Sequence, residues 1–170
     1  MFKIMELKSA LNKLEEDACF KKWHSKNRGT YFSYAFKILQ EMNATDWQLG
    51  FYDRKKDKIT TFTLSGDNIA INPEEEVFKK EEMKINEIDI DKINLEFDSV
   101  IAKADEFQKN NYPNDTRIKT IAILQNMPKL GNVWNITYIT QAFNTLNMKL
   151  DASNGKVVEH NMSSIFSFRK

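Results

Sequence analysis

Apolar side chains recur at three- and four-residue steps from Ile4 through Leu7, Leu11 and Leu14 to Ala18, with Lys and Glu between them. That period predicts an amphipathic helix over about 2–23. Asn27-Arg28-Gly29 should end it, glycine being the residue that tolerates a left-handed cap. The stretch 31–39 fits two periods: Phe32, Tyr34, Phe36 and Ile38 alternate, while Tyr31, Tyr34, Ala35, Ile38 and Leu39 also suit a helix. Its aromatic and β-branched content favours a strand. Further strands are predicted at 47–52, 59–64 and 68–71, separated by the polar turns 53–58 and 65–67. In the second half, Asn94 can cap a helix carrying Phe97, Val100, Ile101, Ala104 and Phe107, and Tyr112-Pro113 stops it. Strands at 117–125, 133–139, 145–151 and 156–163 follow. The connections are too short for parallel crossovers, so the sheets should be antiparallel with one face covered by a helix.

The two halves read alike. Ile38-Leu39-Gln40-Glu41-Met42 followed by Trp47 matches Ile123-Leu124-Gln125-Asn126-Met127 followed by Trp134, and Leu11, Leu14 and Ala18 fall opposite Phe97, Val100 and Ala104. The pattern divides the chain into a first repeat at 1–72, a connector at 73–92 and a second repeat at 93–170. The connector is rich in Glu and Asp and reads as a solvated linker, tacked down by Val77, Phe78, Ile85 and Ile88.

Toward its end the second repeat carries Leu150-Asp151-Ala152-Ser153-Asn154-Gly155-Lys156-Val157-Val158. This run resembles the close of PepSY domains: an apolar residue, Asp-Ala, a variable residue, Thr-Gly-Lys and an apolar pair, with Asn154 in the threonine's place. The resemblance covers about 93–165, and the first repeat, with Ser65-Gly66-Asp67-Asn68, shares it only through the duplication. It implies a cystatin-like fold, one helix across a curved antiparallel sheet, and a non-catalytic binding or inhibitory module. Locally, Asp151 can accept hydrogen bonds from turn amides, while Asn154 and Gly155 can supply positive φ angles.

The chain has 170 residues, 41% hydrophobic and 29% charged, which is ample for a packed core. Lys and Arg total 25 against 24 Asp and Glu, so no bulk electrostatic argument favours nucleic acid as a partner. Tyr31, Tyr34, Trp47, Phe51, Tyr52 and Phe62 could stack bases if exposed, but alternating aromatics fit a sheet face beneath a helix better. Charges run through the first eighteen residues, and no stretch reaches the ~20 apolar residues of a membrane span, so no membrane association and a soluble, cytoplasmic setting are expected. A single cysteine, Cys19, agrees with a reducing compartment.

Catalytic and cofactor motifs are not evident. Cys19 and His24 lie about 140° apart on the predicted helix, at ~100° per residue, and His160 falls in the last strand. No phosphate-binding glycine loop and no metal-ligand spacing occur, and Asp46, Asp53, Asp57, Asp67 and Asp151 sit where turns need capping. Trp47 and Trp134 hold equivalent places and read as core anchors. The sequence thus predicts an α+β fold of two tandem PepSY-like, cystatin-like units, each one helix on a four-stranded antiparallel sheet. It points to a non-enzymatic binding or regulatory protein that offers sheet surfaces to a protein or peptide partner. No catalytic, metal or cofactor site is assigned. The alternative is a small enzyme or small-molecule binder using a cavity between helix and curved sheet.

Overall fold

The computed structural model describes residues 5–40, 43–76 and 84–168, with the backbone alone at 73, 74 and 168. In chain order the elements are α1 (Leu7–Glu16), α2 (Ala18–Lys26), β1 (Thr30–Gln40), β2 (Asn43–Ala44), β3 (Trp47–Asp53), β4 (Lys58–Ser65) and β5 (Asn68–Glu76). Then come α3 (Phe97–Asn111), β6 (Arg117–Met127), β7 (Gly131–Thr140), β8 (Asn144–Asp151) and β9 (Val157–Ser164). Short 3-10 turns precede α3 and follow β9.

The expectation of two separate helix-on-sheet units is overturned. All strands belong to one antiparallel sheet in the order β5-β4-β3-β1-β6-β7-β8-β9, with β2 alongside β1. The join is the pairing of β1 with β6 in register from Tyr34 opposite Gln125 to Gln40 opposite Lys119. Each would otherwise expose a row of unpaired amides and carbonyls at the edge of a four-stranded sheet. Joining removes both edges at once, and the strand order reads alike outward from the junction.

One transverse row shows how the join makes a single core. Phe62, Leu49, Ala35, Leu124, Trp134 and Leu150 are neighbours across six strands, and all are buried. The helices cover this face. Leu7, Ala10, Leu11 and Leu14 of α1, Phe20 of α2, and Phe97, Val100, Ile101 and Ala104 of α3 all enter the same apolar cluster. At its centre Phe97 touches Trp47 and Trp134, with ring centroids 5.2 and 5.3 Å away, while the two indoles are 6.1 Å apart. Both tryptophans are therefore core anchors.

Local chemistry moves several predicted boundaries. The single helix expected over 2–23 becomes two, its first residues lying outside the described ones. Asp17 takes an extended conformation and its carboxylate accepts from the Phe20 amide at 2.9 Å, starting α2 and leaving Ala18 exposed. Ala18 is therefore no counterpart of buried Ala104. α2 closes without a left-handed glycine: Asn27 Nδ2 donates to the Trp23 carbonyl at 2.8 Å. α3 begins at Phe97, beyond Asn94, and Glu6 Oε2 accepts from the Phe97 amide at 2.8 Å, joining the entrances of the two helices. Burial raises the Glu6 carboxyl above its ordinary value.

β5 runs on to Glu76, into the predicted connector, where Pro73 sits at an edge-strand irregularity that tolerates a missing donor. Residues 77–83 of that connector, including Val77 and Phe78, lie outside the described residues. After them the chain is held where the β1–β6 pairing stops. Tyr31 Oη donates to the Ile85 carbonyl (2.6 Å), Asn126 Nδ2 to that of Glu87 (2.7 Å), and the Ile88 amide to that of Phe32 (2.9 Å). Ile88 is buried in the core.

Candidate functional site

The face of the sheet opposite the helices carries the other alternate residues. Two of its rows run Thr63–Gln48–Phe36–Ile123–Asn135 and Thr61–Gly50–Tyr34–Gln125 across the central strands. From β4 to β7 neither row contains a charged residue, in a chain that is 29% charged; the first reaches one at Lys149 of β8, which pairs with Glu159. Among the described residues no helix covers this face, and the segment at 84–86 lies against part of it. Together they form a groove of about 450 Å³ lined by Tyr34, Phe36, Gln48, Ile59, Ile85 and Ile123, with Lys84, Asn86 and residues 125–128 at its margin.

The floor is set by a close approach. Gly50 has no side chain, and the Tyr34 ring occupies the vacated space, so that a Cβ at Gly50 would meet Tyr34 Cε1 at 1.9 Å. The ring is held by a 2.6 Å hydrogen bond between Tyr34 Oη and Thr61 Oγ1, and burial raises the phenol's pKa, keeping it a neutral donor or acceptor. Ser33 Oγ donates to the Gly50 carbonyl at 3.2 Å. To one side, Asn135 Nδ2 reaches Gln125 Oε1 at 3.4 Å, and Asn147 Nδ2 donates to Asn135 Oδ1 at 2.6 Å. The chemistry on offer is amide and hydroxyl hydrogen bonding around an aromatic and aliphatic floor.

The residues weighed on sequence grounds lie elsewhere. Cys19 is exposed on α2, and His24 stacks on Phe20 with centroids 5.5 Å apart. His160 Nδ1 meets Tyr112 Oη at 2.8 Å. The turn aspartates have local work. Asp46 accepts from Ser65 Oγ, Asp53 from the Lys55 amide, Asp57 from Tyr52 Oη and Asp151 from the Ser153 amide, while Asp67 pairs with Lys13 at 2.9 Å. The Ser153 hydroxyl and amide hold the Asp151 carboxyl below the usual range. In that loop only Gly155, not Asn154, takes a positive φ (74°). A Cβ there would meet Lys103 Cδ at 2.2 Å, so the glycine lets the loop press against α3. Of the aromatic set, Trp47, Phe51 and Phe62 lie in the core under the helices, whereas Tyr31, Tyr34 and Tyr52 belong to the opposite side.

Sequence reasoning missed the groove. Its signal was the uncharged outward set Tyr34, Phe36 and Ile38 on β1 facing Gln125, Ile123 and Ile121 on β6. The wall at 84–86 was marked by Ile85, expected to tack the connector down, but nothing in the sequence said onto which face it would fold.

Among the described residues Lys37 is the one lysine buried on the helix side, with Nζ 4.4 Å from the Trp47 ring centre and Glu6, Asp46 and Asp98 in its field. Burial lowers its pKa to about 8. Below pH 8 both folded and unfolded chains carry the charge, so the burial cost is fully present. As pH rises toward the unfolded value near 10.5 the folded state sheds its proton first and the cost is relieved. At neutral pH that cost is at most roughly 3 kcal/mol. Lys37→Met should therefore raise the unfolding midpoint at pH 7 and abolish the gain in stability that the parent protein shows between pH 8 and 10, measured by thermal melts across pH.

Among the described residues no helix is long and apolar enough to cross a membrane, and no group of three His, Cys, Asp or Glu side chains gathers to hold a metal. No family model matches the chain, and no curated protein matches it in sequence. In fold it is similar to a crystal structure from Clostridium difficile 630 described as a "putative lipoprotein", with a TM-score of 0.60 and 11% identity over 96% of each chain. At that identity the likeness is one of fold alone.

Proposed function

We propose that this protein is a non-enzymatic binding module that holds an extended, uncharged stretch of polypeptide in the groove on its open sheet face. The carrying observation is the uncharged floor: Phe36, Tyr34, Ile59 and Ile123 offer apolar contact, and Gln48, Asn86 and Gln125 offer amides suited to a peptide backbone. Among the described residues Lys84 is the charged side chain lining the groove, with Glu75 beside Ile59 at its edge, so a charged ligand would be desolvated against a largely neutral floor. Among the described residues Trp47, Phe97 and Trp134 pack against one another between the helices and the sheet, which favours the open-face groove over the alternative of an interior cavity. The PepSY resemblance at 150–158 agrees with a binding role. The likeness in fold to a protein described as a lipoprotein supports an extracytoplasmic setting over the cytoplasmic one expected from sequence.

Selection of random linear peptides displayed on phage tests the reading. Enriched sequences should be uncharged, with aromatic or aliphatic residues at alternating positions. Phe36 is half-buried and faces away from the core, so Phe36→Glu should leave the unfolding midpoint within a few degrees yet weaken capture of the enriched peptides at least about tenfold. Absence of enrichment, or peptides that bind Phe36→Glu as well as the parent, would refute the groove.

A further inference from the structure

The loop between β8 and β9 carries a dipeptide with chemistry of its own. Of the five glycines in the chain, Gly155 is the one preceded by asparagine. Glycine has no side chain to crowd its backbone nitrogen or restrict its rotation, so in an Asn-Gly pair that nitrogen can reach the carbonyl carbon of the asparagine side chain. Asn154 is exposed, and water and hydroxide have access to it.

The fold ties both reacting groups. The Gly155 amide donates to the Asp151 carbonyl at 2.7 Å, and Asn154 Oδ1 accepts from the Lys156 amide at 2.8 Å. The frame around them is held as well: the Asp151 amide donates to the Lys156 carbonyl at 2.9 Å, and the Ser153 amide to Asp151 Oδ1 at 2.8 Å. Gly155 itself is buried against α3, where an added carbon would meet Lys103 at 2.2 Å and Leu95 at 2.8 Å. An amide whose hydrogen is engaged and whose backbone cannot rotate is a poor nucleophile, and lifting the loop from α3 releases it.

The same loop braces its surroundings. Ala152 is fully buried, its amide donates to the Asn132 carbonyl at 3.0 Å, and its carbonyl accepts from the Asn94 amide at 3.3 Å. Through these bonds the loop links the start of β7 to the approach to α3.

We propose that Asn154 and Gly155 form a self-modification site that the seated loop keeps silent and that opening of the loop exposes to conversion. The Gly155 nitrogen gives up its proton and attacks Asn154 Cγ. The Cγ–Nδ2 bond then breaks, a proton returns to the departing nitrogen, and ammonia leaves behind a cyclic imide. Water opens the imide at either carbonyl, giving aspartate or, with the backbone rerouted through the side chain, isoaspartate. Ammonia is lost and water gained, with no oxidant or reductant. Isoaspartate lengthens the backbone by a methylene where the loop has no room to spare, so a converted loop cannot reseat on α3. A transient opening thereby becomes permanent.

The test is incubation of the full chain in mildly alkaline buffer, with and without urea, followed by peptide mass spectrometry. In urea, Asn154 should convert ahead of every other asparagine. In the folded protein it should convert at least about tenfold more slowly, because the opened loop alone reacts. Asp151→Ala removes the carboxylate that holds the Ser153 amide, and should speed conversion several-fold in the folded chain while leaving the rate in urea unchanged. The isoaspartate form, separated by ion exchange, should unfold at a lower temperature than the parent. Equal rates with and without urea, another asparagine reacting first in urea, no acceleration in folded Asp151→Ala, or an isoaspartate form as stable as the parent would each overturn the proposal.

Discussion

Trp134→Ala should lower the stability of the whole chain by about 3–5 kcal/mol, the range for emptying a fully buried aromatic site, and should do so without splitting the unfolding transition. Trp134 is completely buried and touches both Trp47 of the first half and Phe97 of α3. The cavity would thus open between the halves, where neither can close it alone. A joined sheet over one core also requires a single cooperative event. Urea unfolding followed in parallel by far-ultraviolet circular dichroism and tryptophan fluorescence should give coincident curves in both proteins. Two separated transitions in the parent would contradict a shared core. The indole N–H of Trp134 has no hydrogen-bond partner among the described residues, so Trp134→Phe discards an unsatisfied donor while keeping much of the ring. It should cost far less than the alanine change.

The strands were legible because alternation and polar turns specify them locally: the four strands of the second half fall within two residues of their expected ends. The sheet they build was not. Pairing of β1 with β6 brings together residues some eighty-five positions apart, such as Ile38 and Ile121, and no local period encodes which edges meet. A trace of it was present. A run of both strands is apolar on both faces, with Ala35 and Leu124 turned inward to the core and Phe36 and Ile123 outward to the groove. Ambiguity between helix and strand at 31–39 was the same fact met without its partner. The break at Asp17 shows capping chemistry prevailing over period, since the apolar steps continue through it.

A second large effect concerns the polar cluster beneath α3. Asp105 takes a fork from Arg117, with Nε to Oδ1 at 2.8 Å and Nη2 to Oδ2 at 3.1 Å, and accepts from Tyr138 Oη at 2.7 Å. The guanidinium also lies over the Tyr138 ring, 5.2 Å from its centre. Tyr138 is fully buried, and burial together with the adjoining carboxylate raises its pKa well beyond the ordinary tyrosine range, so the hydroxyl remains a donor. Asp105→Ala leaves this donor and a half-buried cation without their acceptor, for a loss of about 2–4 kcal/mol, the pair being partly open to solvent. The informative measurement is the effect of Tyr138→Phe in each background. In the parent protein it removes a satisfied hydrogen bond and should destabilise by about 1 kcal/mol. In Asp105→Ala it removes an orphaned buried hydroxyl and should stabilise by a similar amount. That reversal of sign, read from chemical denaturation of the four proteins, follows from Asp105 being the acceptor for Tyr138. Equal effects in both backgrounds would mean that the hydroxyl is satisfied elsewhere and that Asp105 serves only the arginine.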